Sequence, residues 1–113
     1  MHSHHAIDYV ELTVTDTDAA RAFYSQAFGW QLNDYGPEYT GIQGEQEEQG
    51  GLRLDTTARP PLVILYSDDL DKSVDSVTQA GGTITQPPYG FPGGRRFHFA
   101  DPAGNELAVW ATS

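Results

Sequence analysis

Apolar and polar residues alternate near the start of the chain, and this alternation predicts a β-strand over residues 7–15. Val10, Leu12 and Val14 fall on one face of the strand. Tyr9 and Glu11 fall on the other, because successive side chains of a strand point to opposite sides. The pattern therefore predicts one packed apolar face and one face of mixed polarity.

The period then changes from that of a strand to that of a helix. Apolar residues recur at helical spacing at Ala20, Phe23, Tyr24, Ala27 and Phe28. Asp16 or Asp18 supplies an N-cap oxygen, and Gly29 accepts the left-handed conformation that commonly ends a helix. We predict a helix between these residues.

Short apolar runs separated by glycine, proline and polar residues predict the remaining strands. In the first half they lie near residues 30–34, 39–43 and 52–55, with the polar segment 44–51 as a loop. After Pro60 and Pro61 the order restarts with a strand over 62–66, a helix over 69–80, strands near 83–86, 95–100 and 106–111, and turns at 90–94 and 101–104. The turn at 90–94 is long enough to move over a neighbouring site.

This restart is a repeat, because residues 10–33 and 63–86 are identical at seven of 24 aligned positions. Asp16 and Asp69 precede the two helices, and Gly29 and Gly82 follow them. We predict two βαβββ modules, about 6–58 and 61–112, in a single domain of residues 1–113. Two such modules form an α+β protein in which a curved, mainly antiparallel sheet makes a cup with the helices outside.

The alternation also predicts which side chains face the helices and which face the cup. The helices are expected to cover Val10, Leu12, Val14, Val63, Leu65, Leu107 and Val109. The cup is expected to be lined by Tyr9, Glu11, Thr13, Leu62, Ile64, Tyr66, Glu106, Ala108 and Trp110.

Charge and composition narrow the class of partner. Sixteen acidic and six basic residues give a net charge of −10, which disfavours nucleic acid and anionic membrane surfaces. No stretch approaches the roughly 18 apolar residues of a membrane span. A secretory signal and cysteines are both missing from the sequence, so we expect a cytoplasmic protein.

Several short motifs resemble those of one superfamily. They are Val14-Thr15-Asp16, Ala22-Phe23-Tyr24, Phe28-Gly29-Trp30 and the turn Asp101-Pro102-Ala103-Gly104-Asn105. The chain resembles the vicinal oxygen chelate superfamily, which includes glyoxalase I, extradiol dioxygenases and bleomycin-binding resistance proteins. The resemblance implies paired βαβββ modules, a homodimer and, in many members, a divalent metal ion in the cup.

The resemblance also implies where metal ligands would lie, on the first and last strands of each module. In this sequence the corresponding positions are predicted to be Tyr9, Asp55, Leu62 and Ala108. Leucine and alanine have no donor atom, and a site for zinc, iron or manganese needs at least three protein donors. We therefore expect no metal cofactor, with a displaced divalent metal site as the alternative.

Two carboxylates are the candidate catalytic groups. Glu11 and Glu106 share a face with Tyr9 and Ala108, and Arg53 is expected at the position that matches Glu106. A buried carboxylate beside an arginine can act as a general base or orient a ligand. The same groups can instead form a structural salt bridge.

The aromatic residues Tyr9, Tyr66 and Trp110 suggest a pocket for a small organic ligand, oriented by Arg53 and the two carboxylates. His98 either joins this ligand-binding set or is a hydrogen-bonded structural residue. The leading hypothesis is a small-molecule binding protein of the glyoxalase and bleomycin-resistance type. A lyase, isomerase or dioxygenase-type enzyme is the alternative, and a filled cup with a purely interacting surface is a third possibility.

The N-terminal segment carries His2, His4 and His5. Chain ends are commonly poorly ordered, so we expect this segment to be mobile and assign it no function.

Overall fold

The computed structural model describes residues 2–113, which form eight strands and two helices. In chain order these are β1 (Ile7–Val14), α1 (Thr17–Phe28), β2 (Leu32–Asp34), β3 (Tyr39–Gln43), β4 (Glu48–Leu54), β5 (Leu62–Tyr66), α2 (Leu70–Gln79), β6 (Thr83–Phe91), β7 (Gly94–Ala100) and β8 (Glu106–Ala111). The predicted α+β class and the repeated βαβββ order are confirmed. Within these residues, neither helix is long and apolar enough to cross a membrane.

Both helices begin at the aspartates that the repeat indicates. Asp16 has an extended backbone and accepts a hydrogen bond from the Ala19 amide at 3.0 Å. Asp69 does the same for Lys72 at 3.2 Å. Gly29 ends α1 in the left-handed region, with φ of 68°. Each side chain satisfies an amide that has no partner inside its helix, which fixes where the helix starts.

The chain divides into two compact units, which are described separately. The first unit comprises residues 9–61, and its strands follow the order β2-β3-β4-β1. The second unit comprises residues 62–113 together with residues 2–8, and its strands follow the order β5-β8-β7-β6. In each unit the first and last strands of the module run parallel and the other pairs are antiparallel.

The second unit has its core between α2 and one face of its sheet. The buried residues of this core are Leu70, Phe97, Val109 and Ala111, with Leu65, Val74, Val77, Ile84 and Phe99 packed around them. Leu65 and Val109 therefore face the helix, as the alternation predicts. Trp110 and its cross-strand partner Arg96 point to the opposite face, because side chains of a strand alternate.

The first unit packs its helix more loosely than the sequence predicts. Within the described chain α1 contributes no buried side chain, and Phe23 and Phe28 are 57% and 65% exposed. Val10, expected beneath the helix, is 37% exposed. Its partner on β4 is Gly50, which offers Val10 no neighbouring side chain, whereas Leu52 on the same face is buried. The aromatic rings pack on one another instead, with Tyr24 stacked on Trp30 at 4.6 Å.

Two predicted loops are parts of strands. The segment 44–51 was expected to be a loop, but β4 already begins at Glu48. The turn at 90–94 was expected to be long and able to move, but β6 continues to Phe91 and pairs with β7 from Gly94. A tight hairpin at Pro92 and Gly93 therefore replaces it. β6 is the outer strand of its unit, contains Pro87 and Pro88, and pairs irregularly with β7.

The N-terminal segment is attached to the second unit, so the prediction of a mobile tail is wrong. The His5 amide donates to the Tyr66 carbonyl at 2.6 Å, and the Tyr66 amide donates to the Ala6 carbonyl at 3.1 Å. The side chain of His4 accepts from the Asp68 amide at 2.9 Å. These bonds continue the pairing of β5 to the residues that precede β1. Side-chain alternation alone does not reveal this pairing.

Candidate functional site

A cluster of phenols and carboxylates lies on one face of the first unit. Glu11 is buried, with 5% exposure, and accepts a hydrogen bond from Tyr39 Oη at 3.0 Å. Tyr9 Oη donates to Glu48 Oε1 at 2.8 Å and lies 3.0 Å from Tyr39 Oη. Arg53 Nε lies 3.4 Å from Glu11 Oε1. The structure thus brings together Tyr9, Glu11 and Arg53 from the predicted set.

The Nε atom of Arg53 faces the charge of Glu11 at ion-pair distance. This nitrogen is buried and has no hydrogen-bond partner among residues 2–113. Arg53 Nη1 donates to Asp55 Oδ2 at 3.3 Å. The Thr56 amide, and then the nearby arginines, hold the pKa of the Asp55 carboxyl below its usual range. The cluster is therefore a network of charges and hydroxyl groups.

Glu48 and Tyr39 belong to the cluster but were not identified from the sequence. Each side chain lies over a glycine of a neighbouring strand. A methyl group on Gly51 would overlap with Tyr39 Oη, and one on Gly41 would overlap with Glu48 Oε1. Glycine inside a strand often marks such a close approach. The pair Gly50 and Gly51 is therefore a usable signal of a close approach, although the polar residues before it predict a loop.

Burial controls the ionisation of the two inner phenols. Desolvation raises the pKa of Tyr9 far above its usual value, and the hydrogen bonds and charges of Tyr39 and Glu48 raise it further. The pKa of Tyr39 is raised mainly by burial and then by the charge of Glu11. Both hydroxyl groups therefore remain protonated donors in the folded protein.

This ionisation predicts how stability depends on alkaline pH. An unfolded tyrosine loses its proton near pH 10, whereas folded Tyr9 and Tyr39 keep theirs. Their contribution is therefore present below about pH 10 and is lost as the pH rises further, because the unfolded state ionises first. We expect the tyrosinate absorbance of both residues to appear only together with unfolding. A Tyr9→Phe/Tyr39→Phe variant identifies their part of the signal, and early ionisation in the folded protein would contradict the assignment.

The second unit has aromatic rings on the sheet face opposite α2. Tyr66 and Trp110 meet edge to face, with ring centres 5.2 Å apart. Phe91 lies 6.2 Å from Trp110, and the Arg96 guanidinium lies 6.0 Å from the Phe91 ring. All four side chains remain partly exposed. We call Tyr66, Phe91, Trp110 and Arg96 the aromatic face.

A line of polar groups runs beside the aromatic face. Arg96 Nε donates to Tyr89 Oη, so the Tyr89 hydroxyl can donate to His98 Nε2 at 2.9 Å. The other ring nitrogen of His98 lies 3.9 Å from Glu106 Oε2, which also accepts from Thr85 Oγ1 at 3.0 Å. The strand pattern alone left the orientation of His98 open. The structure pairs it with Ala108, on the same face as Trp110.

The strand register corrects the positions compared between modules. Val10 pairs with Gly50, and Val63 pairs with Leu107, so the last strands are offset by 57 residues instead of 53. The counterpart of Ala108 is therefore Gly51 and not Asp55. By the same offset, Arg53 corresponds to Trp110 and not to Glu106. The reason is that β6 and β7 form a longer hairpin than β2 and β3.

This correction bears on the metal site that the resemblance implied. The four positions become Tyr9, Gly51, Leu62 and Ala108. Glycine, leucine and alanine offer no side-chain donor, and one phenol does not make a metal site. The residues at these positions do not fit the divalent ion of the metal-dependent enzymes.

The model of the Glyoxalase/Bleomycin resistance protein/Dioxygenase superfamily matches residues 6–109, and the chain belongs to this superfamily. The anthracycline biosynthesis protein DauV of Streptomyces sp. (strain C5) is 30% identical over an alignment of 116 positions, which covers 92% of this chain and 40% of that protein. The chain spans less than half the length of the curated relatives that it matches.

Solved structures of the same fold include enzymes. The Mn(II)-bound glyoxalase from Novosphingobium aromaticivorans is 27% identical, with a TM-score of 0.74 over 99% of this chain and 40% of that one. A methylmalonyl-CoA epimerase from Streptomyces coelicolor has a TM-score of 0.76, covering 98% and 99% of the two chains. At 13% identity the epimerase shows only a shared fold.

Proposed function

We propose that this protein binds a small, flat organic molecule of the aromatic polyketide class on its aromatic face. The observation that carries the proposal is the juxtaposition of Tyr66, Phe91 and Trp110 with Arg96 on a sheet face that the helix leaves uncovered. Aromatic rings with a few fixed polar groups are typical of small-molecule sites. DauV, whose name places it in anthracycline biosynthesis, supports this class of ligand.

The polar line beside the rings supplies the orienting groups. Arg96 can donate to carbonyl or phenolic oxygens at the edge of a planar ligand. The Tyr89 hydroxyl, whose proton goes to His98, can accept a hydrogen bond from a ligand phenol. Glu106 sits at the far end of this line. In the first unit, Glu11 already accepts from Tyr39 and faces Arg53. We therefore propose that Glu11 supports the structure of the first unit, because its carboxylate already interacts with Tyr39 and Arg53.

Metal independence is part of the proposal. It is supported by the identity of the residues at the positions where related enzymes hold their ion, which are Gly51, Leu62 and Ala108 beside a single phenol. A ligand held by rings, an arginine and a hydroxyl group needs no ion for its recognition. Binding should therefore be the same before and after treatment with a chelator.

Titration with alizarin, a planar dihydroxyanthraquinone, tests the proposal. Loss of one ring stack and its buried area should weaken binding about tenfold in Trp110→Leu. Trp30→Leu is the matched control, because Trp30 stacks on Tyr24 in the first unit. The Kd of Trp30→Leu for alizarin should equal that of the unaltered protein. We expect a chelator to leave the Kd of the unaltered protein unchanged.

Three results would contradict this function. The first is no alizarin binding at solubility-limited concentration, and the second is equal weakening by both tryptophan variants. The third is loss of binding on chelation that returns with added manganese, which would favour a displaced metal site. Isothermal calorimetry on the same preparations measures the Kd for alizarin in each of these three cases.

A further inference from the structure

His2 occupies the aromatic face of the second unit as a small ligand would. Its imidazole ring stacks on Tyr66, with ring centres 4.9 Å apart and planes inclined by 23°. The edge of the same ring meets Trp110, also at 4.9 Å and at 87°. An imidazole between a phenol and an indole is thus packed on two sides.

A carboxylate completes the surroundings of this ring. His2 Nδ1 lies 2.7 Å from Asp8 Oδ1, so the nitrogen carries a proton and donates it to the carboxylate. The second oxygen, Asp8 Oδ2, accepts from Trp110 Nε1 at 2.9 Å. The Asp8 side chain is only 9% exposed. The Trp110 indole therefore holds the Asp8 carboxylate in position, and Asp8 Oδ1 faces the space that the His2 ring occupies.

We propose that Asp8, Tyr66 and Trp110 form a subsite for a planar aromatic ring that carries an N–H or phenolic O–H donor, and that His2 is an internal occupant which such a ligand displaces. The inference rests on the proposed function, because it defines one part of the same aromatic face. It adds the chemical class of ring that this part accepts and the residue that competes for it.

The energetics favour replacement of His2 by a ligand over an empty subsite. A nearly buried carboxylate is costly without a donor, so removal of the imidazole leaves one Asp8 oxygen unsatisfied. A ligand N–H or phenolic O–H restores the bond, and the ligand ring restores both aromatic contacts. Attachment through the chain gives His2 a high effective concentration, so weak free ligands bind only when it is removed.

A purely structural role for His2 is the competing explanation. In that case the ring only fastens the N-terminal segment, and the space behind it collapses or fills with water when the ring is removed. The two explanations differ in one measurable property, which is whether the vacated space takes up a free ring of the same shape and hydrogen-bonding capacity.

Rescue of His2→Ala by free imidazole tests the subsite. The Trp110 indole N–H bonds to Asp8, so its nitrogen–proton resonance reports on the carboxylate directly. Imidazole should shift this resonance saturably in His2→Ala, while the Trp30 indole resonance stays fixed. The same titration of the unaltered chain should give at least a tenfold smaller response. Cyclopentane-carboxamide, which has no aromatic ring, should have no effect on either protein.

Two further variants complete the test. His4→Ala is the matched control, because His4 contacts Asp68 and not the subsite, and it should behave as the unaltered chain does. Asp8→Asn in the His2→Ala background should abolish the imidazole response. No saturable shift in His2→Ala, or equal shifts in His2→Ala and His4→Ala, would overturn the proposal.

Alizarin separates this inference from the function on which it rests. If both hold, His2→Ala should bind alizarin at least threefold more tightly than the unaltered chain. Imidazole rescue without alizarin binding would leave the subsite intact and refute the choice of ligand class. Alizarin binding that depends on Trp110, without imidazole rescue, would support the function and overturn the subsite.

Discussion

Replacing Phe97 by alanine should lower the free energy of unfolding by about 3–5 kcal/mol. Phe97 is fully buried between α2 and the sheet of the second unit, where it packs with Leu70 and Val109. The substitution removes a ring from a filled core and leaves a cavity that neighbours on regular strands cannot close. A loss of this size is a large part of the stability of an ordinary domain, about 5–15 kcal/mol. Urea unfolding followed by circular dichroism measures it.

Phe28→Ala is the matched control for Phe97→Ala. Phe28 is 65% exposed on α1, so the same chemical change should alter stability by about 0.5 kcal/mol or less. Equal effects of the two substitutions would show that the buried face of the second unit has been assigned wrongly. The difference between them isolates burial, because the residue types are identical.

Replacing Gly51 by alanine should destabilise the protein by about 3 kcal/mol. The added methyl group would overlap with Tyr39 Oη, and the ring must leave its place over the glycine. Tyr39 then loses its hydrogen bond to Glu11, and the buried carboxylate loses one of its donors. The measurement is the midpoint of urea unfolding, together with tyrosinate absorbance. Tyr39 should ionise at lower pH in the variant than in the unaltered protein.

Gly90→Ala controls for the general cost of changing a strand glycine. A methyl group at Gly90 would meet the Gly94 carbonyl at 3.9 Å, an ordinary contact distance. We expect a change of about 0.5 kcal/mol or less. If Gly51→Ala were equally mild, Tyr39 would not lie over Gly51, and the network of the first unit would have to be redrawn.

Local signals in the sequence were sufficient for most of the fold. Asp16 and Asp69 predicted the helix starts because capping depends on residues within one turn. The strands 39–43, 62–66 and 106–111 were predicted with their observed bounds, since alternation is a property of each strand alone. The exposure of Val10 was not predicted, because its partner Gly50 lies in a strand that is distant in the sequence.

The candidate site was harder to predict because it depends on register. Tyr9, Glu11 and Arg53 were selected by face, and the structure brings them together. Glu48 was missed because its glycine-rich strand resembled a loop. The comparison of Asp55 with Ala108 was wrong because the second module has four more residues between its helix and its last strand than the first module has. Proximity to the chain end predicts a mobile segment at His2, and only the long-range bonds of its segment reveal its position.

The outer strand of the second unit also limits how copies of this protein can associate. Proline has no amide hydrogen, so Pro87 and Pro88 interrupt the row of donors that a free sheet edge would offer to another strand. The outer strand of the first unit, β2, spans only three residues. Neither border is a good template for sheet extension, which protects the folded chain against strand-mediated aggregation.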